Sequence, residues 1–266
     1  MRKLKKISWT MLIITSLLMI GLNGYDFITA DKKAPVIMFP GDELQVSVAV
    51  TDEELLQDVQ ARDNRAGDLT GSVVVEKMSS IAEDATRVVT YAAIDKAGNV
   101  GRKERTIRYT DYTNPRFDLG APLRFPIGKF PDNIMGEVYA QSAIDGDITE
   151  KVKFQFLSEQ YFNQEGFVDI EIRVTDSAGV SAVLPTQLEW YDAKNEALQV
   201  ELSQYILYLE EGAEFEPKDY YIDPGQKSKL EVESDVNTSA PGVYHADYIV
   251  QSGDNIGKTR LVVVVE

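Results

Sequence analysis

A chain of 266 residues has room for one large domain or for two to three modules of about 70–100 residues. With 44% hydrophobic and 26% charged residues it can bury cores, while the absence of cysteine and a single histidine, His245, exclude disulfides, thiolate metal sites, thiol catalysis and two-imidazole sites. A formal charge of -16 repels nucleic-acid phosphates, so no nucleic-acid partner is expected.

The first thirty residues stand apart. Arg2, Lys3, Lys5 and Lys6 precede an apolar run from Ile7 to Leu22. A basic flank before such a run targets a membrane and keeps the flank cytoplasmic. The run is about 16 residues, short of the roughly 20 that a spanning helix needs. It extends through Tyr25, Phe27 and Ile28, with Trp9 and Tyr25 as interfacial aromatics. The segment reads as a retained single-pass anchor over residues 7–28 or, alternatively, as a signal cut after Ala30. The anchor is favoured because no tidy small-residue cleavage site follows the run. Both readings place residues 31–266 outside the cell, membrane-tethered in the first and secreted in the second.

From residue 34 onward the chain repeats itself with a period of about 80 residues. Gly67-Asp68-Leu69-Thr70 with Val73 returns as Gly146-Asp147-Ile148-Thr149 with Val152. Asp95-Lys96-Ala97-Gly98-Asn99 returns as Asp176-Ser177-Ala178-Gly179-Val180. A degenerate third copy carries Asn255-Ile256-Gly257-Lys258, which echoes Asn99-Val100-Gly101-Arg102. A β-rich run closes each copy: Arg105 to Tyr109, Gln187 to Tyr191, and Leu261 to Val265.

Within each copy the pattern predicts short strands. Val46, Val48 and Val50 alternate with polar or small residues, as do Val168, Ile170, Ile172 and Val174. Residues 95–99 read as a hairpin turn, and residues 52–60 are the one stretch where a helical turn competes with a strand. Many short strands with turn signals at short intervals indicate antiparallel sandwiches. The predicted fold class is therefore all-β: tandem antiparallel Ig-like β-sandwiches preceded by one N-terminal transmembrane or signal helix. The predicted domains are residues 1–30, 34–111, 112–192 and 194–266, separated by Asp111 to Pro115 and Asp192 to Asn195. Short links suggest modules stacked end to end, extending roughly 100–120 Å.

The Gly-Asp-(Leu/Ile)-Thr motif before a valine, with a later strand ending in Asp-x-Ala-Gly-Asn, resembles the bacterial Ig-like domain found in pesticidal crystal proteins and Firmicute surface proteins. The resemblance covers residues 34–192, with Val180 where the pattern has asparagine. It is weaker over 194–266, where Gly242-Val243-Tyr244 and Tyr248 fit but the Gly-Asp-x-Thr motif is missing. It implies an extracellular, non-catalytic β-sandwich used as a spacer or as an adhesion module.

Candidate chemistry is sparse. Asp63, Asp68, Asp145 and Asp147 offer hard oxygen ligands, but their spacing does not form an EF-hand loop. Asp68 and Asp147 read more simply as turn caps accepting backbone N–H groups. Calcium, if held, is expected between modules, and no metal or cofactor is assigned. The carboxylates show no pair distinguished for glycoside hydrolysis, and Ser177 and Ser181 lack a histidine in their module. His245 reads as a solvated or hydrogen-bonded strand residue. Exposed tyrosines are the remaining lead, because binding surfaces favour them. Tyr205, Tyr208, Tyr220 and Tyr221 cluster in the third module beside Phe215, and Tyr220-Tyr221 on a strand would expose at least one ring. They are the candidate ligand contacts.

The sequence thus predicts a non-enzymatic bacterial surface protein, tethered through residues 7–28, that binds a cell-surface protein or polysaccharide through its distal module. The alternative is a structural stalk or accessory subunit docking on another membrane or surface protein.

Overall fold

The computed structural model describes residues 11–19, 31–128, 132–158, 163–225 and 227–266. Two compact units emerge, residues 1–110 and 111–266.

The N-terminal expectation is corrected. Among the described residues no helix is long and apolar enough to cross a membrane. The described part of the leader is α1, residues 11–19. At 1.5 Å per residue it covers less than half of a hydrocarbon core of about 30 Å. The transmembrane or signal helix, the single-pass location and the membrane contact through residues 7–28 are therefore not found. The remaining residues of the leader, including Trp9, Tyr25, Phe27, Ile28 and Ala30, lie outside the described residues.

The first unit is a sandwich of two sheets. One holds β1 (Val36–Met38), β3 (Gln60–Asp63) and β4 (Gly67–Asp68) in the order β1-β3-β4. The other holds β2 (Glu43–Val46), β5 (Val74–Met78), β6 (Thr86–Ile94) and β7 (Val100–Tyr109) in the order β2-β7-β6-β5, with β2 parallel to β7. The alternation expected through Val50 stops at Val46. Ser47 folds the chain back, its carbonyl accepting from Val50 N at 3.1 Å and its Oγ from Ala49 N at 3.2 Å. That turn delivers Thr51 as the N-cap of α2 (Asp52–Leu56), whose capping box is closed by Glu54. The short helix buries Leu55 fully, and Tyr91 Oη donates to the Leu55 carbonyl at 3.1 Å. Helical signals thus win over strand signals between residues 52 and 56.

The second unit contains two sandwich-like modules. The first pairs β8 (Arg116–Leu119), β10 (Val138–Ser142) and β11 (Gly146–Asp147) in one sheet. Its other sheet is β12-β13-β14-β9, built from β9 (Arg124–Pro126), β12 (Lys153–Phe156), β13 (Gly166–Thr175) and β14 (Ser181–Tyr191). As the alternation predicts, Val168, Ile170, Ile172 and Val174 are all buried. The last module has one four-stranded sheet, β15-β18-β17-β16, from β15 (Ile206–Leu209), β16 (Lys229–Ser234), β17 (Gly242–Ser252) and β18 (Asn255–Val265). Among the described residues, the pairing outside this sheet in the last module is a bridge between Leu202 and Tyr221.

All three four-stranded sheets share one strand order, with the earliest strand of each of these sheets parallel to its last. The degenerate copy also keeps a close backbone crossing. A Cβ on Gly101 would lie 1.9 Å from the Pro35 carbonyl oxygen, and one on Gly257 would lie 2.3 Å from that of Leu198. Only glycine lets the two chain segments approach so closely.

The two modules of the second unit are packed together rather than placed end to end. Ile206 and Val262 of the last module belong to the same hydrophobic cluster as Phe117, Ile170, Leu188 and Trp190. Leu261, Val263, Val265, Ala246 and Tyr248 face the opposite way into a second cluster. The last sheet is buried on both faces, which requires the unbroken apolar run Leu261 to Val265.

Candidate functional site

The seam between these two modules is lined by polar groups whose positions follow from strand alternation. Arg124 on β9 donates to Glu189 on β14 at 2.9 Å and to Glu196, in the connection, at 2.7 Å. It also contacts the Lys258 carbonyl, and its guanidinium lies 4.2 Å from the centre of the Tyr191 ring. Burial alone would lower the Arg124 pKa; the two carboxylates outweigh it and raise the value. Arg260 on β18 pairs with Asp247 at 2.6 Å, donates to Gln187 at 2.9 Å and lies over the Phe167 ring. Arg116 pairs with Glu266.

The four candidate tyrosines are all half-buried. Tyr208 belongs to the seam: its hydroxyl accepts from Phe117 N at 2.9 Å, and Arg116 lies over its ring. Tyr205 packs against both clusters. Tyr220 is not on a strand but closes the 3-10 helix Pro217–Tyr220, and it stacks on Phe215 with centroids 5.9 Å apart. Tyr221 forms the bridge to Leu202, and its hydroxyl is buried without a hydrogen-bond partner. The four rings are therefore divided between the seam and the last core. Tyr205 also lines an open groove of about 590 Å³ at the seam, with Arg124, Tyr191, Glu196 and Lys258.

His245 sits on the seam face of β17, with Nε2 3.1 Å from Thr186 Oγ1. Burial, and then the charge of Arg260, lower its pKa against the opposing pull of Asp235 and Asp247. Among the described residues, the hydroxyl that its ring meets is that of Thr186, which is buried.

Three of the four candidate aspartates fall into two kinds. Asp68 and Asp147 are exposed turn caps, each accepting the N–H of the threonine two residues on at 2.9 Å. The preceding Gly67 and Gly146 have φ of 80° and 70°, which that turn needs. The threonine hydroxyls in turn accept from Ala61 N and Ala140 N, tying the motif to the neighbouring strand. Asp63 is different: it gathers with Asp31 and Asp95, each offering an oxygen within 4.8 Å of the others. Asp63 Oδ1 accepts from Ala66 N at 2.6 Å and Arg65 N at 2.8 Å, which hold its carboxyl below its ordinary range. Asp95 is held down first by the Asn99 side chain and then by backbone N–H groups. Asp145 belongs to neither kind. Lys151 and Ser177 bind it and lower its pKa to about 2. Sequence reasoning singled out Asp63 but missed its partners, because Asp31 borders the leader and Asp95 reads as a turn residue.

No family model and no curated protein matches this chain. Among solved structures it is similar to the M60 catalytic domain with the CBM51-1 and CBM51-2 domains from Clostridium perfringens ZmpB, at 12% identity and a TM-score of 0.21. That match covers 87% of this chain and 30% of the other. Drosophila N-cadherin EC1-4 aligns at 13% identity and a TM-score of 0.25, covering 90% of this chain and 76% of that one. The protocadherin GammaB4 extracellular domain aligns at 11% and 0.20, covering 89% and 50%. At such scores the molecules do not superimpose as wholes. The chain has a generic tandem Ig-like β-sandwich fold, as its repeated strand order states.

Proposed function

We propose that this chain is a non-catalytic structural stalk or accessory subunit that docks on another protein of the cell surface. The observation that carries the reading is the two-sided burial of the last sheet. Ile206 and Val262 are committed to the neighbouring module's core while Leu261 and Val263 fill their own. A module held in this way transmits position and load rather than presenting a free tip. The Gly-Asp-(Leu/Ile)-Thr repeats support membership of the bacterial Ig-like family named above, since both copies make the same turn.

The test uses the labelled full chain against purified wall polysaccharide, host matrix and mucin, and against surface proteins cross-linked in place. Stoichiometric cross-linking to one surface protein, with no saturable binding to polysaccharide, is expected. Saturable polysaccharide binding abolished by substituting Tyr205 and Tyr221 would overturn it in favour of a ligand site at the tyrosines.

A further inference from the structure

The first module's three aspartates converge at the end where residue 31 enters it. Asp63 is only 5% exposed, and after Oδ1 has accepted two backbone N–H groups its Oδ2 is buried with no hydrogen-bond donor among the described residues. A buried carboxylate oxygen without a donor is costly unless a cation or proton meets it. Asp95 contributes a second buried carboxylate, and Asp31 a third that is half-buried. Together they line a cavity shared with Arg65, Lys96 and the 66 and 97 alanines. Arg65 pairs with the outer member, Asp31, at 3.7 Å, with a side chain 56% exposed.

The second repeat supplies an internal comparison. By the repeat's offset Ser142 stands where Asp63 stands, and Asp176 where Asp95 stands. Ser142 Oγ accepts from Ile144 N at 3.1 Å and Asp145 N at 3.3 Å, the same two turn positions that Asp63 Oδ1 serves. Its hydroxyl also reaches Asp176 Oδ2 at 3.3 Å, so the serine proton closes the network. Replacing that hydroxyl by a carboxylate removes the proton and adds a charge. What the second repeat closes with a proton, the first leaves open for a cation.

We propose that Asp31, Asp63 and Asp95 form a divalent-cation site selective for calcium. The donors are all hard carboxylate oxygens, with no nitrogen or sulfur among them. The oxygens all lie within 4.8 Å of one another, close enough to share one ion's shell with bonds of 2.3–2.6 Å, and a cage of protein carboxylates suits calcium better than magnesium, which keeps several of its waters. The ion would bind residue 31 to the loops at 63–66 and 95–97, fixing how the chain enters the first module. The site lies within one module, not between modules, and does not rest on the stalk reading.

The test is calorimetric titration of the chelator-treated full chain with calcium, then magnesium, beside an Asp63→Ser variant. Serine already occupies this turn in the second repeat, so the variant is expected to keep the apo melting temperature. Expected are one calcium per chain at an affinity on the order of 10⁻⁴–10⁻³ M, weaker magnesium binding, and at least a ten-fold loss in Asp63→Ser. No saturable calcium binding in the native chain, or binding unchanged in Asp63→Ser, would overturn the proposal. If Asp63→Ser does not fold, Asp63→Asn keeps the shape of the side chain and is read by the same criterion.

Discussion

At the scale of single residues, Arg124 ties β14, the connection and β18 together at the seam. Its side chain is 11% exposed and Glu196's is 9%, so removing the guanidinium strands two carboxylates away from water. Arg124→Ala is expected to destabilise the second unit by about 3 kcal/mol, as loss of one partner of a buried ion pair does; urea unfolding measures it. His245 gives the seam a pH dependence. Its folded pKa lies below its ordinary value of 6.5, so the unfolded chain binds protons more readily. Stability is therefore full above about pH 6.5 and falls as the pH drops through the lowered folded value. Melting temperatures from pH 7.5 to 5 should show this slope, reduced in His245→Gln; an unchanged slope in that variant would place the titration elsewhere.

At the scale of elements, β18 shows both what the sequence made legible and what it left out. Strand alternation correctly orients Val168 through Val174, because β13 buries one face. Leu261 through Val265 do not alternate, and the reason is that both faces of their sheet are covered. The unbroken run was visible, but without a known neighbour it read only as a closing strand. Val48 and Val50 alternate yet leave the sheet, because Ser47 and the Thr51–Glu54 capping box favour a turn and helix. The turn aspartates were legible because an Asx turn is local. The convergence of Asp31, Asp63 and Asp95 was not, since it depends on three segments far apart in sequence. Ile206→Ala should leave a cavity in the seam cluster and cost about 2–5 kcal/mol. Native-state hydrogen exchange should show it raising exchange in β14 as well as in β18; exchange confined to the last module would mean separable modules.

At the scale of the whole molecule, three sequence repeats become two structural units, with the second and third sharing a continuous core. That sharing is the observation on which the stalk proposal rests. A single seam of apolar contacts and ion pairs couples the two modules, so they should unfold as one cooperative body. Scanning calorimetry of the full chain tests this most directly, with Ile206→Ala to assign the transitions. The account predicts two transitions, one for residues 31–110 and one for residues 111–266, with Ile206→Ala lowering the whole of the second. Three transitions, with Ile206→Ala lowering only the one belonging to residues 194–266, would contradict it.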